Sequence, residues 1–296
     1  MKLAVKFNLV ALAAFAVGFG LTGALVKQYF DGNAREEVYR TASVMLATAN
    51  AVRHYTTTEI QPVIGTEKDG KFLSIAIPSF AAQTNLHALG AEFADFRYKE
   101  ATLNPTNPTD RAADWEADVV NDFRADPARK QMIFDRDTPT GAMMVVARGL
   151  KVGDPSCLGC HSVPSAAPVS MIAAFGTANG FGWHLNETVG AQIVSLPLAP
   201  VLAQATQSLA IFLGLLVGVF LVMLLILNLL LHFLVIRPVR TMASIATEVS
   251  LGKAEAEEFK AAGNDEISAL AAAFNRMRRS LASAMAMMEG EEAEAR

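Results

Sequence analysis

The sequence has 296 residues, with 25 basic and 29 acidic side chains and a formal net charge of -4. Its hydrophobic fraction is 52% and its charged fraction is 18%, against about a quarter charged residues in soluble domains. This composition argues against a wholly soluble protein, and the acidic balance offers no electrostatic surface for nucleic acid.

The first apolar segment covers residues 8–26, which contain no charged side chain and follow a short basic start at residues 1–7. A bilayer core of about 30 Å needs about 20 apolar residues in a helix. The segment therefore predicts a first transmembrane helix that is retained as an anchor. A cleaved signal peptide is the alternative, because a basic start and small residues near Gly23 would also suit one.

The segment from 27 to 208 predicts a separate folded domain. Residues 35–64 place apolar or small side chains at spacings of three and four, which predicts a long helix leaving the anchor. A turn-rich connector is predicted at 135–141. Strands are predicted at 130–134, 143–148, 182–187 and 190–196. Helices followed by antiparallel strands predict an α+β domain whose sheet comes late in the sequence.

The pentapeptide at 157–161 reads Cys-Leu-Gly-Cys-His. This pattern is typical of c-type haem attachment: Cys157 and Cys160 each form a thioether with a vinyl group, and His161 becomes an axial iron ligand. A redox dithiol is the alternative, although the adjacent histidine argues against it. Zinc would need four ligands, and no second Cys or His pair lies at zinc spacing. We therefore expect one covalently attached haem c, which is attached outside the cytoplasm.

The sixth position on the iron is open to several candidates. His54 is the first, because it lies on the long helix that continues from the anchor and would tie the iron to that helix. His184, a methionine, or an open or water-occupied site are alternatives, and His87 has the pattern of a surface helix residue. The methionines in this domain are Met45, Met132, Met143, Met144 and Met171.

Arg53, Arg97 and Tyr98 are candidate partners of the haem propionates, since arginine offers a bidentate fork to a carboxylate. Solvated surface charge is the alternative role for these residues. The polar run at 104–108 has turn chemistry and is expected to shape a pocket wall without touching iron.

Several stretches of this domain resemble the Tll-like c-type haem domain family, and the resemblance spans most of residues 30–205. It is carried by residues 53–62, 77–80, 97–107, 115–116, 157–161 and 180–197. The resemblance implies a PAS-like sheet with one haem packed on it, and a sensory role.

The second apolar segment covers residues 209–236 and ends at Arg237 and Arg240. It predicts a second transmembrane helix. Basic residues flank the outer ends of both segments, so both chain termini are expected in the cytoplasm and the haem domain in the periplasm of a bacterial inner membrane. Asn228 and His232 are polar residues in this segment, and polar groups at such depth often face a partner helix. For His232, which lies close to Arg237, placement near the headgroups is the favoured explanation.

The segment 237–288 has the helix-breaking and helix-starting residues that are typical of a signalling coiled coil. Pro238 follows the membrane exit, Gly252 interrupts a first amphipathic helix, and 264–266 start a second one. The second helix carries a heptad seam at Ile267, Leu270, Phe274, Met277 and Leu281, with Ala284 and Met288 in phase. These features resemble a HAMP domain, which implies a parallel four-helix coiled coil in a homodimer. Residues 289–296 are expected to form an acidic, frayed tail.

We therefore expect a two-pass sensor of redox state or of a diatomic gas such as NO, CO or oxygen, and no enzymatic activity. No effector module follows in the sequence, so the output is expected from a separate histidine kinase, chemoreceptor or other cytoplasmic protein. The alternative is a membrane-anchored monohaem electron-transfer cytochrome, but this function does not explain the second transmembrane segment or the cytoplasmic heptad seam. A haem enzyme is a further alternative, but no acid–base pair or nucleophile arrangement supports it.

Overall fold

The structure is a computed structural model that describes the backbone of residues 3–251, 258–259 and 263–294. Two compact units are present, one formed by Ala24–Ala210 and the other by Met1–Gly23 with Ile211–Arg296. The expected features at Lys2 and Gly252, most of the connector that follows Gly252, and the side chain of Met288 lie outside the described residues.

A long helix opens the chain, as the periodicity predicts. Helix α1 (Leu3–Tyr55) continues into a π-helical turn at Thr56–Ile60 and then into α2 (Gln61–Ile64). The hydroxyls of three consecutive threonines in the π turn donate to carbonyls four residues earlier, at Val52, Arg53 and His54. The remaining elements of this unit, in order, are β1 (Glu67–Lys68), β2 (Lys71–Phe72), α3 (Pro78–Ala88), β3 (Arg97–Thr102), α4 (Asp114–Ala125), β4 (Met132–Thr138), β5 (Gly141–Lys151), α5 (Leu158–His161), α6 (Val169–Phe175) and β6 (Thr188–Pro197).

The main sheet is antiparallel with the strand order β3-β6-β5-β4, so the domain is of mixed α and β structure. The expected strands at 143–148 and 190–196 are confirmed within β5 and β6. β4 extends through most of the expected connector, because Thr138 already pairs with Gly141 across a tight turn. β3 was not predicted as a strand, since its charged residues hide the alternation of buried and exposed positions.

The strand expected at 182–187 is wrong. Gly182 and Asn186 have φ values of 80° and 68°, which an extended strand does not allow. The backbone of this segment bonds to the haem-motif region instead: the Gly182 and Trp183 N–H groups donate to the carbonyls of Ser162 and His161.

Both faces of the sheet are packed against helices. On one face, α1 and α3 cover a core that includes Leu46, Leu86, Val146 and Val194. On the other face, α4 packs Val119, Val120 and Phe123 against the small residues of the central strands. This second cover is partial, because α4 has only 12 residues.

A buried polar network joins α1 to the sheet. Glu100 on β3 is 1% exposed and forms an ion pair with Arg53 on α1. The Tyr98 hydroxyl donates to Glu100 at 2.7 Å and accepts from the Gln192 amide at 3.0 Å. The same amide donates to Asn50 at 2.9 Å, so two consecutive turns of α1 are held over the β3–β6 pair.

Within the described part of the chain, two helices are long and apolar enough to cross a membrane by length and composition, and they flank the domain in sequence. The second consists of α7 (Ala199–Leu230), a π turn at Leu231–Ile236 and α8 (Arg237–Ser250). Asn228 does not depend on headgroups for its partners, because Asn8 and Asn228 exchange amide hydrogen bonds of 2.9 and 2.8 Å. Phe15 and Phe220 stack with ring centroids 3.8 Å apart.

The last helix, α9 (Glu266–Glu294), begins where the acidic start signal predicts. Asp265 caps it by accepting a hydrogen bond of 2.7 Å from the Ser268 N–H. Asn275 is buried and holds the main chain of Phe259 through two hydrogen bonds. Among the predicted seam residues, Leu270, Met277 and Leu281 are exposed in the single chain.

Candidate functional site

The Cys-Leu-Gly-Cys-His motif lies on a short turn that follows β5. Asp154 opens the turn by accepting a hydrogen bond of 2.8 Å from the Ser156 N–H, and a 3-10 turn through Cys157 leads into α5. The α-helical turn places Cys157 and Cys160 three residues apart and therefore on the same side. Both thiols are free and half-buried.

His161 has a defined ring orientation. Its Nδ1 lies 2.7 Å from the carbonyl oxygen of Gly180. A carbonyl only accepts, so Nδ1 must carry the proton and donate it, which leaves the lone pair of Nε2 free. The ring also stacks on Trp183 with centroids 3.9 Å apart and planes inclined by 14°. A hydrogen bond to the non-ligating nitrogen is the usual second partner of a metal-binding histidine.

Gly180 can lie against Thr106 because it has no side chain. Its φ is +86°, in the region that favours glycine, and an added Cβ would lie 2.9 Å from the Cα of Thr106. The hydroxyl of Thr106 lies 3.4 Å from His161 Nδ1, and Asn104 accepts a hydrogen bond from the Gly180 N–H at 3.3 Å. The loop after β3 and the loop before β6 therefore hold the histidine together.

Burial sets the electrostatics of the motif. It lowers the pKa of His161, against the opposing effect of the hydrogen bond to Gly180, so the neutral ring is favoured. It raises the pKa of the Cys160 thiol, and the nearby Cys157 raises it further. Redox-active dithiols have a lowered thiol pKa, so this environment is unlike theirs. Two half-buried thiols beside an oriented neutral imidazole fit the donor set that a c-type haem requires.

Of the three candidate propionate partners, two lie together and the third lies apart from them. Arg53 and Tyr98 are engaged with buried Glu100 on the face of the sheet that α1 covers. Burial and the neighbouring Glu100 raise the pKa of the Tyr98 hydroxyl well above its usual range. Arg97 lies on the opposite face of β3 and is exposed. Their role toward propionates stays a prediction.

The candidates for the sixth iron position also differ in accessibility. His54 is exposed and lies in the last turn of α1, two residues before the start of the π turn. The His184 side chain is 85% exposed and lies 3.5 Å from Glu187. His87 is exposed on α3, as expected, and its Nε2 lies 3.1 Å from the Tyr98 carbonyl oxygen. Four of the five methionines are buried in the packed interior.

Sequence reasoning assigned no role to Gly180 and Trp183, the two residues that orient His161. A signal was present in the run Gly-Phe-Gly-Trp at 180–183, where two glycines flank a bulky residue in a loop. The polar run at 104–108 was expected to form a wall, and Thr106 and Asn104 do lie against the His161–Gly180 pair.

Comparison with known proteins identifies two families in the chain. The Tll0287-like family matches residues 31–197, and the HAMP domain family matches residues 230–283. The crystal structure of the cyanobacterial heme-protein Tll0287 is similar at a TM-score of 0.43 and 14% identity, covering 55% of this chain and 95% of that one. No curated protein matches the chain. The matched range contains the whole Cys-Leu-Gly-Cys-His site and more than half of the sequence, and the chain therefore belongs to the Tll0287-like family and carries a HAMP domain after it.

Proposed function

We propose that this protein is a transmembrane sensor that carries one covalently attached haem c in a periplasmic PAS-like domain. The observation that carries the proposal is the orientation of His161, whose Nδ1–H donates to the Gly180 carbonyl and leaves Nε2 available to iron. Cys157 and Cys160 would supply the two thioether sulfurs. Family membership supports the assignment, because the family takes its name from a cyanobacterial heme-protein.

When bound, the haem iron supplies a coordination site that responds to oxidation state or to a diatomic gas. Two contacts would keep His161 oriented toward the iron: Trp183 stacks on the His161 ring, and Thr106 packs closely against Gly180, whose carbonyl accepts from His161. We propose that His54 would be the second iron ligand, because it lies on α1, which continues from the first apolar segment and would tie the iron to that helix. The π turn after His54 supports this role, since π turns in helices occur frequently at functional sites.

We propose that α1 and α7 cross the bacterial inner membrane with both chain termini in the cytoplasm. Lys6 precedes the first apolar segment, and Arg237 and Arg240 follow the second, as the positive-inside rule requires. The reciprocal amide pair of Asn8 and Asn228 supports helix pairing inside a bilayer, where such groups have no water to bond.

The output would pass through the HAMP domain of a homodimer. Exposed Leu270, Met277 and Leu281 lie along α9 at heptad spacing, and a second copy of the chain would bury them. A change at the haem would shift the population between two packings of the HAMP helices. A histidine kinase, chemoreceptor or other cytoplasmic effector would respond to that shift.

We further propose that the protein is not an enzyme. The groups closest to the His161 ring are a hydroxyl, a carbonyl and an indole, none of which is a general acid or base at neutral pH.

The relay is tested by crosslinking Leu270→Cys across chains in membranes, with the haem held oxidised, reduced, or reduced with NO. A sensor predicts a crosslinking yield that depends on the haem state, and no dependence in a His161→Ala background. Arg276→Cys is the matched control, since Arg276 lies on α9 outside the seam and should crosslink weakly in every state. A state-independent yield at Leu270→Cys, together with rapid electron exchange that survives deletion of residues 237–296, would indicate an electron-transfer cytochrome instead.

A further inference from the structure

The face of the sheet under α4 carries a cleft that lies apart from the haem motif. Arg97 and Tyr98 line it, and Arg97 is assigned here to a separate ligand in place of a haem propionate. The cleft has a volume of about 750 Å³, within the range of small-molecule pockets. α4 covers the sheet up to Trp115 at its first turn, and the cleft occupies the uncovered part beyond it. It is further bounded by the β4–β5 turn at 138–140, by Gln83 and His87 of α3, and by Thr109 and Asp110.

The floor of the cleft is apolar and is set by the strand register. Ser195 of β6 lies between Arg97 of β3 and Val145 of β5, and the buried side chains of Ile193 and Met143 continue the same face. Phe96 and Trp115 add aromatic walls. An apolar ligand body could rest on these side chains.

The rim of the cleft is basic. Arg97 and Arg136 extend from the two edge strands of the sheet, whose backbones are about 14 Å apart at three strand spacings. Arg136 lies over the Trp115 ring at 4.6 Å, which leaves the edge of its guanidinium open to an acceptor. Within the described part of the chain, neither arginine has a carboxylate partner.

The other charged groups of the cleft are already bonded. Lys99 pairs with Glu116 at 2.6 Å and also donates to the Arg111 carbonyl. Asp110 accepts a hydrogen bond of 2.9 Å from the Gln83 amide. The two edge arginines therefore remain as the cations available to a ligand.

We propose that this cleft binds a small organic carboxylate with an apolar body, whose charge pairs with Arg97 or Arg136 while its body lies on Val145 and Ile193. The site would be a second input to the domain and goes beyond the proposed haem function. It is separate from the haem motif, because β3 runs five residues, about 17 Å, from Arg97 before it reaches the loop that contacts His161.

The test uses the full-length protein in detergent and phenylacetate as the probe, with phenylacetamide as its neutral isostere. Calorimetry should show that the acid binds at least tenfold more tightly than the amide, because only the acid carries a charge that an arginine can pair with. Binding should also change tryptophan fluorescence, and Trp115→Phe should remove that change. The haem absorption spectrum should stay unaltered at saturation.

The paired variant Arg97→Gln/Arg136→Gln should lose the preference for the acid. Arg129→Gln is the matched control, because Arg129 is exposed, is paired with Asp126 and lies outside the cleft. Equal affinity of the wild-type protein for phenylacetate and phenylacetamide would overturn the proposal, whatever the variants show. A preference for phenylacetate that persists in the paired variant would also overturn it, because the carboxylate would then bind at a site other than these two arginines.

Discussion

The Arg53–Glu100 ion pair should be a main stabilising contact between α1 and the sheet, and Arg53→Ala tests this directly. Glu100 is 1% exposed, so removal of its cation leaves a charge in the protein interior. Breaking one side of a buried pair costs about 3–5 kcal/mol. We expect about 3 kcal/mol here, because Arg53 is 26% exposed and the Tyr98 hydroxyl continues to donate to Glu100.

The structure supplies a matched control in a second arginine of α1. Arg35 pairs with Asp135 at 2.7 Å, but the side chains of this pair are 47% and 40% exposed. Exposed pairs contribute about 0–1 kcal/mol, so Arg35→Ala should change stability little. Both variants remove an arginine that joins α1 to a strand, and they differ mainly in the burial of the partner carboxylate.

Thermal unfolding followed by tryptophan fluorescence is the suitable assay. Both tryptophans, Trp115 and Trp183, lie in the Ala24–Ala210 unit, so the signal reports on that unit alone. For a unit of this size, about 3 kcal/mol corresponds to a decrease in Tm of roughly 6–12 °C. Adding Glu100→Gln to Arg53→Ala should recover most of the loss, because the uncompensated charge disappears. Equal effects of Arg53→Ala and Arg35→Ala would refute the reasoning.

Three further predictions follow from other contacts. Gly180→Ala should reduce the haem-to-protein ratio, measured by absorbance, since its Cβ would meet Thr106. In a variant that carries Gly23→Cys and Leu213→Cys, two positions that are neighbours across the apolar helices, Asn228→Leu should slow disulfide formation. The reason is that the substitution removes the Asn8–Asn228 amide pair, which holds these helices together. Unchanged rates would contradict this role of the pair. Burial raises the pKa of Asp110, so its ionisation opposes folding as the pH rises above its ordinary pKa. Asp110→Asn should therefore raise the Tm at pH 7 but not at pH 3.

The elements that follow from local sequence patterns could be predicted from the sequence. The long helix follows from apolar side chains at spacings of three and four, and the α9 start follows from the acidic cap at Asp265. The haem motif is local as well, because two thiols and an imidazole within five residues define the chemistry.

The parts that depend on distant residues could not be predicted. Glu100 has the appearance of a surface residue until Arg53 and Tyr98 are placed around it. The orientation of His161 depends on Gly180, 19 residues away, and the partner of Asn228 lies 220 residues earlier. Such pairings require the tertiary fold, since no local spacing brings these residues together.

Covalent attachment of haem at the Cys-Leu-Gly-Cys-His motif is the central claim, and acid–acetone extraction followed by a pyridine haemochrome spectrum tests it most directly. The full-length protein, produced in cells that can attach c-type haem, should retain its pigment on the polypeptide and give a haemochrome of the c type. Cys157→Ser/Cys160→Ser should lose the retained pigment. Pigment that extracts completely from the wild-type protein, or a wild-type protein without pigment, would contradict the account.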